Sequence, residues 1–213
     1  MTPSIPILVC TLDVNAPQLK VLAASVEAYA NNCIIFADSV GLGSFGADYN
    51  EVLTKYFEKS GSEDGVIIAN DDVVLNKDSV RLLMEDVAKF KEFYPKVGLV
   101  AARSDNVRPA QSILMGAQAQ QVRAVSPIFA WISKAAFQDA QFPPINWFSD
   151  DVMCEDLNKL GYAHFVSRAY VHHAGSMTIG HDVQKHIKDA LPWLRENRPE
   201  YLSLWFAPVE QPA

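Results

Sequence analysis

Apolar residues in this chain fall into short β-branched runs separated by stretches with helical spacing, and the two patterns alternate. Ile5 to Leu12 (IPILVCTL) predicts a buried strand. The polar step Asp13-Val14-Asn15 leads into a helix around Pro17 to Tyr29, with Leu19, Leu22, Ala23 and Val26 on one face. Cys33 to Ala37 (CIIFA) predicts a second strand, ending at Asp38. A glycine-rich loop from Gly41 to Gly46 precedes a helix through Tyr49, Val52, Leu53, Tyr56 and Phe57. Val66 to Ala69 (VIIA) predicts a third strand that runs directly into Asn70-Asp71-Asp72, and Val73 to Leu75 continues it after a break. A long helix follows to about Phe93, with Asp78 as its N-cap, and then a fourth strand, Val97 to Ala101. The order β-α-β-α-β-α-β predicts an α/β fold, a mostly parallel central sheet flanked by helices on both faces.

The second half is less regular. Val107 to Met115 reads as loop, Gln118 to Val125 and Ile128 to Ile132 as strands, and Lys134 to Ala140 as a short helix. Asp150 to Leu160 is a helix stopped by Gly161, and His164 to Val171 is a last strand followed by His172-His173. Val183 to Phe206 is helical in pattern but broken at Pro192 and Pro199. The terminal Trp193, Leu194, Leu204, Trp205 and Phe206 are expected to cover the core; a subunit contact, and so a homo-oligomer, or a contact with a membrane-bound acceptor are the alternatives. With no repeat, low-complexity tract or linker, residues 1–213 are expected to form one domain.

Composition narrows the function classes. The 213 residues are 49% hydrophobic, enough for one sizeable core. A net charge of -7 argues against nucleic acid as the main partner, since a polyanion binder needs a basic face. The three cysteines, Cys10, Cys33 and Cys154, are odd in number and widely spaced, which predicts packed thiols in a reducing, cytoplasmic setting. The start MTPSIPILVC has no basic region before its short apolar run, so no signal peptide is expected, and no segment is apolar for long enough to predict a transmembrane helix.

In open parallel sheets, ligands bind beyond the carboxyl ends of the strands. Asp13, Asp38 and Asn70-Asp71-Asp72 fall there, although Asp and Asn also leave strands simply as turn formers. The triplet is harder to reduce to a turn. Two adjacent carboxylates repel, so a cationic group is expected nearby, and hard oxygen ligands suit magnesium or manganese bound with a diphosphate. Asp150-Asp151 opens a helix, where carboxylates are favoured by the macrodipole, but Trp147-Phe148 before it supplies aromatic walls of the kind that suit a general base. His172-His173 precedes a flexible Gly-Ser step, and a neutral imidazole can complete a metal shell begun by carboxylates.

Taken together these pieces resemble the Rossmann-like GT-A glycosyltransferases, specifically the inverting family-two enzymes in a small single-domain form. The segment ILVCTLDVN is similar to the family's opening strand, which implies that Thr11 and Asp13 lie near the nucleotide. IIFADS matches the second strand, with Asp38 reading the base, and FGADYNEVLTKYF makes Asn50 a neighbour of the donor. VIIANDDVVLNKDSV resembles the DXD-type motif, with Asn in its first place. By position Asn70 and Asp71 would face ribose and phosphates, and Asp72 a divalent metal, Mn2+ or Mg2+. VGLVAARSDNVRPAQS is similar to the next strand and acceptor-side loop, including Ser104, Asn106 and Gln111. WFSDDVMCEDLNKLGY resembles the family's acidic motif, making Asp151 the general base; a register slipped by one gives that role to Asp150. The family's usual basic residue later in that helix is replaced near Asp156. AYVHHAGSMTIG places His173 where relatives bind metal or diphosphate, with Ser176 and Thr178 close by.

The resemblance implies transfer of a sugar from a nucleoside-diphosphate donor, a UDP-sugar favoured, to a carbohydrate or other hydroxyl acceptor. Residues 1–102 would form the nucleotide-binding half, 103–180 the acceptor and catalytic half, and 181–213 a C-terminal helical segment. Two rival classes are a metal-dependent nucleotidyltransferase, which TLDVNAPQLK disfavours by lacking glycine, and a sugar- or nucleotide-binding module without transfer activity. A calcium loop at NDDVVLNKD lacks the central glycine and terminal glutamate of an EF-hand.

Overall fold

The structure is a computed structural model and describes residues 5–39, 41–60, 64–175 and 182–206. The chain begins with β1 (Ile5–Thr11), α1 (Pro17–Tyr29), β2 (Cys33–Ser39), α2 (Phe45–Lys59) and β3 (Gly65–Asn70). A short β4 (Val73–Leu75), α3 (Ser79–Phe93) and β5 (Val97–Arg103) follow. Two single 3-10 turns, Pro109–Gln111 and Ile113–Met115, then lead to β6 (Gln120–Val122) and β7 (Phe129–Ser133). The remainder is α4 (Lys134–Asp139), α5 (Ser149–Lys159), β8 (Ala163–His173), α6 (Val183–Asn197) and α7 (Pro199–Phe206).

The strands form one sheet in the order β2-β1-β3-β7-β5-β8-β4, with β6 paired to β8 off this path. β1 pairs in parallel with both β2 and β3, and β5 with β8. β7 lies antiparallel between β3 and β5, so those two strands keep a common direction without touching. Thus β2, β1, β3, β5 and β8 all point the same way, and the sheet is mixed. The β-α alternation of the first half predicts a mostly parallel sheet; the structure inserts the antiparallel β7 between β3 and β5. All five residues of β7 are buried, which suits a strand covered on both faces.

Side chains alternate between two cores, as a strand's period of two requires. Ile7, Val9, Ile67, Ala69, Phe129 and Trp131 pack on the face covered by α1 and α3, with Leu22, Leu83 and Val87. Leu8, Val66, Ile68, Ala130 and Ile132 pack on the other face, with Leu53, Phe57, Met153 and Leu157. Asp78 precedes α3 but makes no side-chain cap; it pairs with Arg81, and the turn is closed by Asn76 Oδ1, which accepts the Asp78 N–H at 2.8 Å. Helix α6 runs through Pro192 without breaking. The terminal residues divide: Leu194 and Tyr201 join Val152 in a small core, whereas Leu204 and Phe206 stay exposed.

Candidate functional site

Parallel pairing aligns Cys10 of β1 with Asn70 of β3, so the two strands end side by side. Beyond that edge Thr11 Oγ1 donates to Asp71 Oδ2 at 2.7 Å, and Gln18 Nε2 lies 3.4 Å from the same oxygen. Asp71 and Asp72 are buried. β4 begins immediately after them and pairs Val73 with His173, which carries the end of β8 to the same place. His173 Nε2 stands 3.2 Å from Asp72 Oδ1 and 3.5 Å from Asn70 Nδ2.

The loop after β5 fixes this histidine. His173 Nδ1 lies 2.8 Å from the Asn106 carbonyl oxygen, so that nitrogen carries the proton and donates it. Asn106 Nδ2 donates back to the His173 carbonyl at 2.7 Å, and Asp105 Oδ1 accepts the His173 N–H at 3.0 Å. Burial alone would pull the His173 pKa down, but the hydrogen bond and charge of Asp72 outweigh it and raise the value. Burial likewise opposes the charge of Asp105, but donors from His173 N–H, Ser104 and His172 bring its carboxyl down to about 2. His172 is exposed and turned onto Asp105, so of the two neighbouring histidines it is His173 that faces Asp72.

A second acidic centre opens α5. Asp150 and Asp151 both bind Arg108, which donates from Nη2 to Asp150 Oδ2 at 2.7 Å and from Nη1 to Asp151 Oδ1 at 2.8 Å. Burial first, and then Asp150, raise the Asp151 carboxyl to about 6, while Arg108 pulls the other way. For Arg108 burial disfavours the charge, and the two carboxylates more than restore it. Two local features aim this helix. Gly46 of α2 leaves room for the turn before α5: a Cβ there would stand 1.7 Å from the Pro143 carbonyl oxygen and 2.6 Å from Ser149 Oγ. Phe148, just before α5, adopts φ 67°, unusual for an aromatic residue, and its ring stacks on Trp205 of α7 with centroids 5.3 Å apart.

The two centres share one strap of chain. Asp105 and Asn106 grip His173, and Arg108, two residues on, grips Asp150 and Asp151. Gln111 closes the strap's base, donating to the Ala102 carbonyl at 2.7 Å and accepting the Ser126 N–H at 2.8 Å.

The remaining sequence-predicted residues are dispersed. Asp13 is exposed and accepts the Asn15 N–H at 2.8 Å, a turn contact. Asp38 pairs in register with Cys10 at the same strand-end rim, half-exposed, 3.9 Å from Lys55. Asn50 uses both ends of its amide on Phe142, donating to the carbonyl at 2.7 Å and accepting the N–H at 3.0 Å, so its side chain is a clamp between α2 and the loop before α5. Ser176 and Thr178 lie outside the described residues. Asp156 binds Arg198 and Tyr201 and fastens the α6–α7 junction to α5. Arg108 and Asp105 were not singled out from the sequence. Adjacent carboxylates at Asp150-Asp151 call for a cation nearby, but nothing in the sequence points to Arg108 as that cation.

Among the described residues no group of three or more His, Cys, Asp and Glu side chains is arranged to hold a metal. Asp72 and His173 offer one oxygen and one nitrogen 3.2 Å apart. Neighbouring ligands of an octahedral ion at about 2.1 Å stand about 3 Å apart, so the pair fits two adjacent positions of such an ion. The Nδ1–H bond to Asn106 leaves Nε2 as the ligating atom. A cavity of about 570 Å³ is lined by Arg123, Glu155, Tyr201 and neighbours on α5 and α7, and includes none of the strand-end residues.

No protein-family profile matches the chain, and no curated protein sequence does. Solved structures match it. It is similar to A197 from STIV, with TM-score 0.52 and 12% identity over 76% of this chain and 81% of that one. It is similar to S. aureus TarS 1–349, with TM-score 0.51 and 14% identity over 97% of this chain and 76% of that one. TarS 1–349 in complex with UDP-GlcNAc aligns at TM-score 0.46 and 17% identity, over 79% of this chain and 58% of that one. The likeness to A197 and to TarS 1–349 establishes the fold, a central mixed sheet flanked by helices.

Proposed function

We propose that this chain is a GT-A glycosyltransferase that moves a sugar from a nucleoside-diphosphate donor, a UDP-sugar favoured, to an acceptor hydroxyl with inversion at the anomeric carbon. The observation that carries the reading is the strap of residues 105–108, which holds a donor-type centre, Asp71-Asp72 with His173, at one end and a solvent-reaching carboxylate pair, Asp150-Asp151, at the other. A displacement needs both: a place for the leaving diphosphate and a base for the incoming hydroxyl.

In this reading Asp151 takes the acceptor's proton as the acceptor oxygen bonds to the anomeric carbon. The bond from that carbon to the diphosphate oxygen breaks, and its electron pair leaves with the nucleoside diphosphate. A base held near 6 is ionised at neutral pH yet basic enough to draw a proton in the transition state. Thr11, Gln18 and Asn70 line the donor side beside Asp71, and Asp38 marks the base end of the rim. A divalent cation, Mn2+ or Mg2+, held by Asp72 and His173 would supply charge neutralisation for the departing diphosphate. Two protein ligands suffice when phosphate oxygens and waters complete the shell.

The test is release of UDP from candidate UDP-sugars, with and without manganese. Metal-stimulated release by the wild type, lost in Asp151→Asn, supports the reading. UDP binding with no release from any sugar nucleotide and acceptor pair would favour the rival binding module, and pyrophosphate-linked nucleotide exchange would favour a nucleotidyltransferase.

A further inference from the structure

Arg108 does more than neutralise two acids. A guanidinium that forks onto one carboxylate with two parallel N–H groups covers both of its oxygens. Arg108 splits instead, giving one N–H to Asp150 Oδ2 and one to Asp151 Oδ1. Asp150 Oδ1 and Asp151 Oδ2 make no hydrogen bond among the described residues, and neither is a buried unsatisfied atom, so both reach solvent. The guanidinium is itself fixed, since Nε donates to Ser126 Oγ at 2.9 Å and the side chain is only 22% exposed. The charged groups that face Asp151 are Asp150 and Glu155 on its own helix and Arg108 from the strap. Glu155 is tied to Arg123, with Nη2 to Oε2 at 2.9 Å. Arg108 is therefore the cation that acts on Asp151, and it acts through one oxygen while leaving the other open.

We propose that Arg108 is the positioning residue of the site: it holds Asp151 with Oδ2 presented to the acceptor hydroxyl and sets its own positive charge between the two carboxylates. The proposal rests on the reading of Asp151 as the base. Because Arg108 follows Asp105 and Asn106 on the strap, one short segment both orients His173 and sets where the base stands.

The test is a titration that needs no substrate. Aspartate labelled at the carboxyl carbon is followed by NMR against pH, and Asp150→Asn and Asp151→Asn assign the two signals. In Arg108→Gln the Asp151 midpoint is expected to rise by at least about one pH unit, a tenfold gain in proton affinity. Arg108→Lys restores a charge but not the split fork, and is expected to return roughly half of that shift. Ser126→Ala removes the Nε anchor and leaves both carboxylates intact; a smaller upward shift is expected. An Asp151 midpoint in Arg108→Gln equal to that of the wild type overturns the proposal. If that variant does not fold, wild-type midpoints in both Arg108→Lys and Ser126→Ala overturn it. Failure of the base reading is seen separately, as release of UDP from a UDP-sugar by Asp151→Asn at the wild-type rate, whatever the titration gives.

Discussion

The carboxyl of Asp151 is raised to about 6 by burial first and by Asp150 beside it, so its ionised form is lost as pH falls through 6. Transfer by the wild type is expected to drop about tenfold per unit below that pH, measured as kcat/KM against pH. Asp151→Asn should lower turnover by about 10²–10⁴ while leaving donor binding in place, read by single-turnover assay and by UDP titration. His164 gives a stability counterpart. It is fully buried; Nε2 donates to the Cys154 carbonyl and Nδ1 accepts the Leu99 N–H at 3.2 Å, which fills the irregularity where β5 and β8 change register. Burial lowers its pKa to about 4, against 6.5 when unfolded. The unfolded chain therefore takes up the proton first, and stability is lost as pH falls from 6.5 towards 4, by on the order of 3 kcal/mol. His164→Phe should be less stable at pH 7 but show a flatter melting temperature across that window. Residues at strand ends were legible because an apolar run that stops at Asp or Asn marks its own end. The Arg108 contacts were not, because 42 and 43 residues separate it from its partners and no local pattern joins them.

Strands and helices of the first half could be read almost residue by residue, because buried strands and one-faced helices have different periods. The place of β7 could not, since pairing between β3 and β5 depends on which strand fills the gap and not on its own sequence. Pro192 shows the opposite limit. A proline inside a helix costs roughly 3 kcal/mol, which predicts a break. Burial of Leu194, worth roughly 1.5–3 kcal/mol, together with Ala190 and His186 on the same face, offsets that cost and keeps α6 continuous. The approach of α2 to the start of α5 sets the acidic pair, and Gly46 permits it. Gly46→Ala is expected to destabilise the fold by on the order of 3 kcal/mol, seen in urea unfolding, because the atom it meets is backbone and cannot rotate away.

At the scale of the molecule, five co-directional strands deliver their carboxyl ends to one rim, and the strap of residues 105–108 joins the two halves of the site across it. No helix among the described residues is long and apolar enough to cross a membrane. Net charge and the alternation of elements were enough to argue for a fold and against nucleic acid, but only the folded chain brings His173 to Asp72 across 101 residues. That juncture bears the central claim, and calorimetric titration of UDP into the protein tests it most directly. Wild-type protein should bind UDP with magnesium or manganese present and at least about tenfold more weakly without, and Asp72→Ala should remove that metal dependence. UDP binding that is equal with and without metal in both proteins, or no UDP binding at all, would contradict it.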